Sequence, residues 1–225
     1  MYKSDLANFK LEVSKLKKEF NFKGLYHFTD FTNLENILGS GYLKSRGLVL
    51  SESDDFHDGA DNEVIEQTDY SVIDSVRFYY KEKTPTLYNI EGIKVNSEPP
   101  HIPIPVYLIF DYELIYLQSS YFSSCNAASS YAEFGYDIEF FRNMDWENIF
   151  HRGALSIDDS FEKFDIIRKR NAELLIKDKV SIDYLKKIIF RSMTDYKRAI
   201  NLFGHKDYYE VDSSLFNCHN NYIED

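Results

Sequence analysis

Cysteine is nearly absent from this chain: Cys125 and Cys218 are the only two among 225 residues, and they lie far apart. That excludes a disulfide framework, and it leaves too little sulfur at close spacing for a thiolate zinc centre. Glycine (9) and proline (5) are also sparse. Neither a P-loop nor a dinucleotide-binding glycine fingerprint occurs, so the common nucleotide-binding motifs are excluded. No apolar run approaches the about 18 residues of a membrane span. The start, Met1-Tyr2-Lys3-Ser4-Asp5, has no apolar signal core, so a cytoplasmic protein is expected. No internal repeat occurs. Basic residues are in the minority, 26 against 37 acidic for a net charge of −11, which argues against a generally nucleic-acid-binding surface.

What the chain does have is aromatic surface and polarised charge. Tyr and Phe number 18 each. Tyr pairs an apolar body with a polar tip, so such residues serve clefts and stacking as well as packing. Residues 51–74 hold nine Asp/Glu and no Lys/Arg. Residues 163–206 hold twelve Lys/Arg against five Asp/Glu, an excess of seven that leaves −18 for the rest. One face of the molecule can therefore suit a polyanion; a solvated basic helix face is the plainer reading of the same charges. The length suits one sizeable core, and a single domain over residues 1–225 is expected.

Leu6, Phe9, Val13, Leu16 and Phe20 recur at spacings of three and four and predict an amphipathic helix within residues 1–20. A strand is expected at residues 24–28. Thr32-Asn33-Leu34-Glu35 reads as a capping box opening a short helix that stops at Gly39 and Gly41. The acidic stretch 51–74 reads as a loop. Strands are expected at 75–80, 104–110, 172–177 and 187–191, with a break at Thr84-Pro85 and a loop over 95–103. Residues 119–171 read as irregular, with helical patches at 126–133. Thr194 or Asp195 is expected to cap a helix ending at Phe203 before Gly204. Strands and helices intermix without regular βαβ alternation, which indicates an α+β fold with a mixed β core and peripheral helices.

Four segments carry the candidate chemistry. The first is Leu25-Tyr26-His27-Phe28-Thr29, followed by Asn33. The second is Val76-Arg77-Phe78-Tyr79-Tyr80 with Thr84-Pro85-Thr86-Leu87-Tyr88. The third is Asn143-Met144-Asp145-Trp146, with the only Trp. The fourth is Arg168-Lys169-Arg170-Asn171-Ala172-Glu173-Leu174-Leu175. Glu173 stands at the start of an apolar strand, where a carboxylate either faces a cleft or pairs, on an edge strand, with a neighbouring Arg. A lone His on a strand is by itself more often a core or edge histidine. Arg77 suits a phosphate, through its planar fork, or an ion pair with the acidic loop 51–74.

In this order and spacing the segments resemble the DarT family of ADP-ribosyltransferases, toxins that modify nucleic-acid bases with NAD+, over roughly residues 22–210. The thymidine-modifying members tend to carry Pro before Phe-Tyr, an Arg-Ser-Pro-Met-Leu-Tyr stretch and Ala-Glu-Phe-Leu. This chain has Arg77, Lys83-Thr84-Pro85-Thr86-Leu87-Tyr88 and Ala172-Glu173-Leu174-Leu175 instead, which leaves the base open between guanine and thymine.

The resemblance implies an ADP-ribosyltransferase-like fold, NAD+ as co-substrate and no metal. Glu173 and Arg77 would be catalytic. His27, Thr29, Asn33, Arg77, Tyr79 and Tyr88 would contact the cofactor, and Arg168, Lys169 and Arg170 the nucleic acid. Residues 141–171 would face the acceptor, with Trp146 as their packing anchor. The expected acceptor is single-stranded DNA, with RNA or protein as alternatives, and the expected partner a macrodomain antitoxin of the DarG type acting on a monomeric toxin. A non-catalytic nucleic-acid-binding module, in which Glu173 and Arg77 are only a structural ion pair, is the reading from a different class.

Overall fold

The computed structural model describes residues 1–53, 56–57, 70–91, 102–153, 155 and 159–216. The amphipathic helix α1 (Leu6–Phe20) forms as its spacing predicts and buries Phe9, Val13 and Leu16. The chain continues through β1 (Leu25–Asp30), α2 (Leu34–Ser40), β2 (Tyr42–Lys44) and α3 (Arg46–Glu52). Then follow β3 (Ser75–Tyr79), β4 (Pro105–Phe110), β5 (Ser120–Ser123), β6 (Phe134–Gly135), β7 (Glu173–Lys177), β8 (Lys179–Ser181), β9 (Leu185–Phe190) and β10 (Tyr209–Val211). Further helices span Tyr70–Ile73, Pro85–Ile90, Ile138–Asn143, Trp146–Phe150, Ser160–Lys169 and Met193–Phe203.

Eight strands form one sheet in the order β10-β9-β4-β1-β3-β7-β5-β6, and β2 and β8 pair separately. All pairings between these strands are antiparallel except β9 with β10. This is the mixed α+β architecture expected of the sequence.

Strand alternation sorts side chains onto two faces. Leu25, Val76, Phe78, Leu108, Phe110, Phe122, Leu174 and Ile176 face the main core, which α1 covers. Tyr26, Tyr79, Tyr107, Ile109 and Ile189 line the opposite face and pack with Leu87 and Phe216. Burial of such side chains, at about 25 cal/mol per Å² of apolar surface, is the main force holding both layers to the sheet.

Several local expectations are corrected. The turn after β1 is capped by Asp30, not Thr32. The Asp30 carboxylate accepts from Thr32 N (2.9 Å), Thr32 Oγ1 (2.8 Å) and Ile104 N (3.1 Å), so the Thr32 hydroxyl is spent as a donor. Gly41, at φ +77°, ends α2, while Gly39 lies inside it. Thr84-Pro85 opens a helix as well as ending the strand: Thr84 Oγ1 accepts from Leu87 N, and Pro85 at the first helical position costs no hydrogen bond.

Residues 126–133 form turns, and the helices of 119–171 lie later, because side-chain oxygens of Glu173 and Asn126 capture the amides of Ala127 and Ala128. Ser192, not Thr194 or Asp195, caps the helix Met193–Phe203, its Oγ accepting from Asp195 N and donating to Asp195 Oδ2. Of the acidic stretch, residues 51–52 end α3 and Tyr70–Ile73 is helical, while 54–55 and 58–69 lie outside the described residues. Of the loop expected at 95–103, residues 95–101 also lie outside them.

Candidate active site

Glu173 opens β7, and β7 lies between β3 and β5 rather than at an edge. Its cross-strand partners are Tyr79 on β3 and Ser123 on β5. Arg77 pairs with Leu175, so Arg77 is the diagonal neighbour of Glu173 on the same face, within reach of a long side chain. The guanidinium closes the gap as a fork. Arg77 Nε donates to Oε1 and Oε2 of Glu173 at 3.1 Å each, and Nη2 donates to the same oxygens at 2.8 and 2.9 Å. Ala127 N donates to Oε2 at 2.8 Å. Arg77 Nη2 also donates to Asn126 Oδ1 at 2.9 Å.

Among the described residues Arg77 thus pairs with a carboxylate 96 residues on, the ion pair that the non-catalytic reading also expects, while most of the acidic loop 51–74 lies outside the described residues. The Glu173 side chain is wholly enclosed, while Arg77 is 30% exposed. The arginine is therefore the member of the pair that meets solvent and any ligand. Burial opposes the Arg77 charge, yet the adjoining carboxylate holds its pKa above the ordinary value. Tyr79 is raised too, by burial and then by the Glu173 charge, and its hydroxyl lies against Glu173 and Thr86.

β1 and β3 share a single register pair, Tyr26 with Tyr79, whereas β1 and β4 share six. The sheet is therefore loosely closed along this seam, and His27 bridges it: its Nδ1 lies 2.9 Å from the Arg77 carbonyl oxygen. A carbonyl only accepts, so Nδ1 carries the proton and Nε2 is left as an acceptor in the neutral ring. Burial pushes the ring pKa down to about 4; the bond to the Arg77 carbonyl opposes this and the Arg77 charge adds to it. His27 is therefore neutral at physiological pH.

The other residues fall out unequally. By alternation His27 and Thr29 lie on the opposite sheet face from Arg77, Tyr79 and Glu173, meeting them only across the seam. Asn33 is fully engaged: Nδ2 donates to Thr29 Oγ1 (2.8 Å) and to His57 O (2.9 Å), and Oδ1 accepts from His57 N (2.6 Å). It clamps residues 56–57 against the turn after β1. Tyr79 is stacked on Phe28, with centroids 5.5 Å apart and rings 3° from parallel. Tyr88 is 48% exposed on the helix Pro85–Ile90.

Trp146 packs between Tyr80, Phe141 and Phe150 and donates Nε1–H to Phe141 O, the anchoring place expected of it. The basic stretch is partly neutralised, since Asp111, Asp145 and Glu210 reach Lys186, Lys169 and Lys187 from elsewhere in the chain. Asn126 and the Ala127 amide were missed from sequence, and nothing in Asn126-Ala127-Ala128 marks them. Among the described residues no group of three His, Cys, Asp or Glu could hold a metal ion.

Known proteins resemble this arrangement. The family model for DarT, the ssDNA thymidine ADP-ribosyltransferase, matches residues 26–217. The solved structure of Thermus sp. 2.9 DarT in complex with ADP-ribosylated ssDNA is similar, with a TM-score of 0.71 at 17% identity over 88% of this chain and 97% of that one. The same Thermus protein in complex with NAD+ gives 0.64 at 18% identity, over 87% and 98%. Thermosipho africanus DarTG in complex with ADP-ribose gives 0.69 at 19% identity, over 87% of this chain and 51% of that one. No curated protein sequence matches the chain significantly. The structural likenesses speak for the fold alone, and the family model, spanning most of the chain, is what decides: the chain belongs to the DarT family of ssDNA thymidine ADP-ribosyltransferases.

Proposed function

We propose that this protein cleaves the nicotinamide–ribose bond of NAD+ and transfers ADP-ribose to a base of single-stranded DNA. The observation that carries this reading is the Glu173 carboxylate, enclosed at the end of β7 and held by Arg77 and the Ala127 amide. Departure of nicotinamide builds positive charge at the anomeric carbon, and a fixed carboxylate beside it stabilises that charge and orients the ribose 2′-hydroxyl. The attacking base nitrogen sheds a proton, and the same carboxylate accepts it.

Both Glu173 oxygens are covered in the free protein, so NAD+ engages them only as Arg77 yields part of its fork. The part-exposed guanidinium then turns to a phosphate or to the acceptor base. Neutral His27 offers Nε2 as an acceptor for a ribose hydroxyl, and Thr29 beside it keeps a hydroxyl proton to donate, since its oxygen accepts from Asn33. Tyr88 is half-exposed on its helix, and its ring offers a face for stacking on a ligand. Tyr79 positions Glu173 and acts as part of the wall rather than as a stacking surface.

A base within a duplex is inaccessible to such a site, so the substrate is single-stranded. Arg168 lies over Tyr131 with its Cζ 4.4 Å from the ring centroid, and Phe161 and Phe164 of the same helix are exposed, giving the acceptor side aromatic faces on which bases stack. The family description favours thymine, and the sequence departures around Arg77 and Leu174 keep guanine in contention. The protein acts in the cytoplasm, and a macrodomain of the DarG type removes its product.

The test is incubation with adenylate-labelled NAD+ and separate pools of single-stranded DNA, duplex DNA, RNA and protein. Label is expected on single-stranded DNA, and oligonucleotides lacking thymine or guanine identify the base. Label confined to protein or RNA, or to nothing, refutes the reading.

A further inference from the structure

The run Arg168-Lys169-Arg170 looks uniform in sequence, but the fold treats its members differently. Arg168 bonds Asp165, and Lys169 bridges Asp145 (2.8 Å) and Asp165 (2.7 Å). Arg170 meets no carboxylate among the described residues. Its Nη2 contacts His151 Nδ1 and donates to Gly153 O at 3.0 Å, and its Nε is buried without a partner.

A second cation converges on the same turn. Lys81 is 4% exposed, and its Nζ donates to His151 O at 2.5 Å with no carboxylate in ion-pair range among the described residues. Arg152, next to His151, takes the nearby carboxylate, Glu82, at 2.7 Å. Among the described residues, Glu82 is thus the one carboxylate paired with any of Lys81, Arg152 and Arg170.

The electrostatics agree with the geometry. Burial, then the charges of Arg170 and Arg152, bring Lys81 down to about 8. Burial lowers Arg170 as well, and burial followed by the Arg170 and Lys81 charges lowers His151. Burial leads in all three, and the neighbouring cations add to it at Lys81 and His151. An arginine only donates, so His151 Nδ1 accepts and its Nε2 carries the proton, adding a third donor.

We propose that Lys81, Arg170 and His151 form a phosphate-binding pocket beside the reaction centre. The β3–β7 ladder ends at the pair Tyr79–Glu173, and Lys81 and Arg170 leave that same end on the two chains. Lys81 follows Tyr79, the cross-strand partner of Glu173, by two residues, at most about 7 Å along the chain. A phosphate there is one nucleotide's reach from the anomeric carbon. The acceptor strand and the NAD+ diphosphate both present such a group, and this choice of source rests on the transferase reading, whereas the pocket itself does not.

The experiment measures three affinities for the wild type and for Arg170→Gln, Arg170→Lys and Lys81→Met, each confirmed folded by circular dichroism. The probes are inorganic pyrophosphate by calorimetry, NAD+ by calorimetry, and a short fluorescein-labelled single-stranded oligonucleotide by anisotropy across a salt series. Lys10→Gln, an exposed change on α1, controls for net charge.

Arg170→Gln and Lys81→Met are expected to weaken pyrophosphate binding at least ~10-fold, with Arg170→Lys recovering part of it and Lys10→Gln unchanged. If the acceptor strand is the source, oligonucleotide affinity falls too, its salt slope drops by about 0.7, and NAD+ affinity holds. If the source is NAD+, the two swap. Pyrophosphate binding is read without transfer, so an inactive protein that still binds it sinks the transferase reading and not the pocket. Unchanged pyrophosphate affinity in a folded Arg170→Gln overturns the pocket; should Lys81→Met fail to fold, that variant alone decides.

Discussion

Replacing Glu173 separates its structural weight from its chemistry. The carboxylate is fully enclosed and accepts from Arg77 and from the Ala127 amide, so its loss touches stability as well as turnover. In Glu173→Gln the amide oxygen still serves Ala127 N, but the amide NH2 faces the Arg77 donors. A charge-assisted hydrogen bond is worth about 1.5–3 kcal/mol net. Arg77 is part-exposed, so water takes up some of the loss, and the cost is about 2 kcal/mol. For a chain of this size each kcal/mol moves Tm by about 2–4 °C, giving a fall of about 4–8 °C. Glu173→Ala also orphans the Ala127 amide and leaves a cavity, for a total of about 4 kcal/mol and a fall of about 8–16 °C.

Both variants are expected to lose at least ~10²-fold in transfer at 25 °C, where both remain folded, because the carboxylate acts on charge that develops in the transition state. The assays are thermal unfolding by circular dichroism and label transfer from NAD+ to single-stranded DNA. A folded Glu173→Gln with near wild-type turnover refutes the catalytic assignment. One with unchanged Tm refutes the pairing energetics.

Arg77→Lys puts a single ammonium where a fork spans two oxygens; transfer is expected to fall at least ~10-fold, and equal activity would show that charge alone suffices. Acid destabilises the fold through His27: its folded-state pKa of about 4 lies below the unfolded value of about 6.5, so the unfolded chain binds more protons and stability falls as pH drops through that window, with no contribution above it. With the ring partly open to water the loss by pH 4.5 is about 1–2 kcal/mol; thermal unfolding at pH 7 and 4.5 is expected to show a smaller drop for His27→Gln than for wild type, and equal drops assign the effect elsewhere. Trp146→Ala is expected to cost about 3 kcal/mol with NAD+ affinity unchanged. A stable Trp146→Ala that binds single-stranded DNA weakly would make Trp146 a reader of bases instead.

Local features of the protein were legible from sequence because short-range physics decides them. The three-and-four spacing from Leu6 to Phe20 makes α1 amphipathic wherever it packs. Gly41 and Gly204 end helices because a positive φ costs them little. The apolar run at 105–110 becomes a strand buried throughout. Glu173 before Leu174-Leu175-Ile176 marked a carboxylate at the mouth of a buried strand.

Partnerships were decided only by the tertiary structure. Arg77 reaches Glu173 because the β3–β7 register sets Tyr79 opposite Glu173; a slip of one residue would turn the carboxylate to the other face. Asn126 and Ala127 join the site because the turn after β5 arrives beside that register, and their own sequence carries no sign of it. Asp30 displaces Thr32 as the cap because Ile104, remote in the chain, supplies a further donor. Arg168, Lys169 and Arg170 are all basic, yet the placement of Asp145, Asp165 and His151 gives the first two carboxylate partners and Arg170 none among the described residues. Spacing along a chain specifies which way a side chain points on its own element, whereas ion pairs depend on which elements meet, and that is settled when the sheet closes.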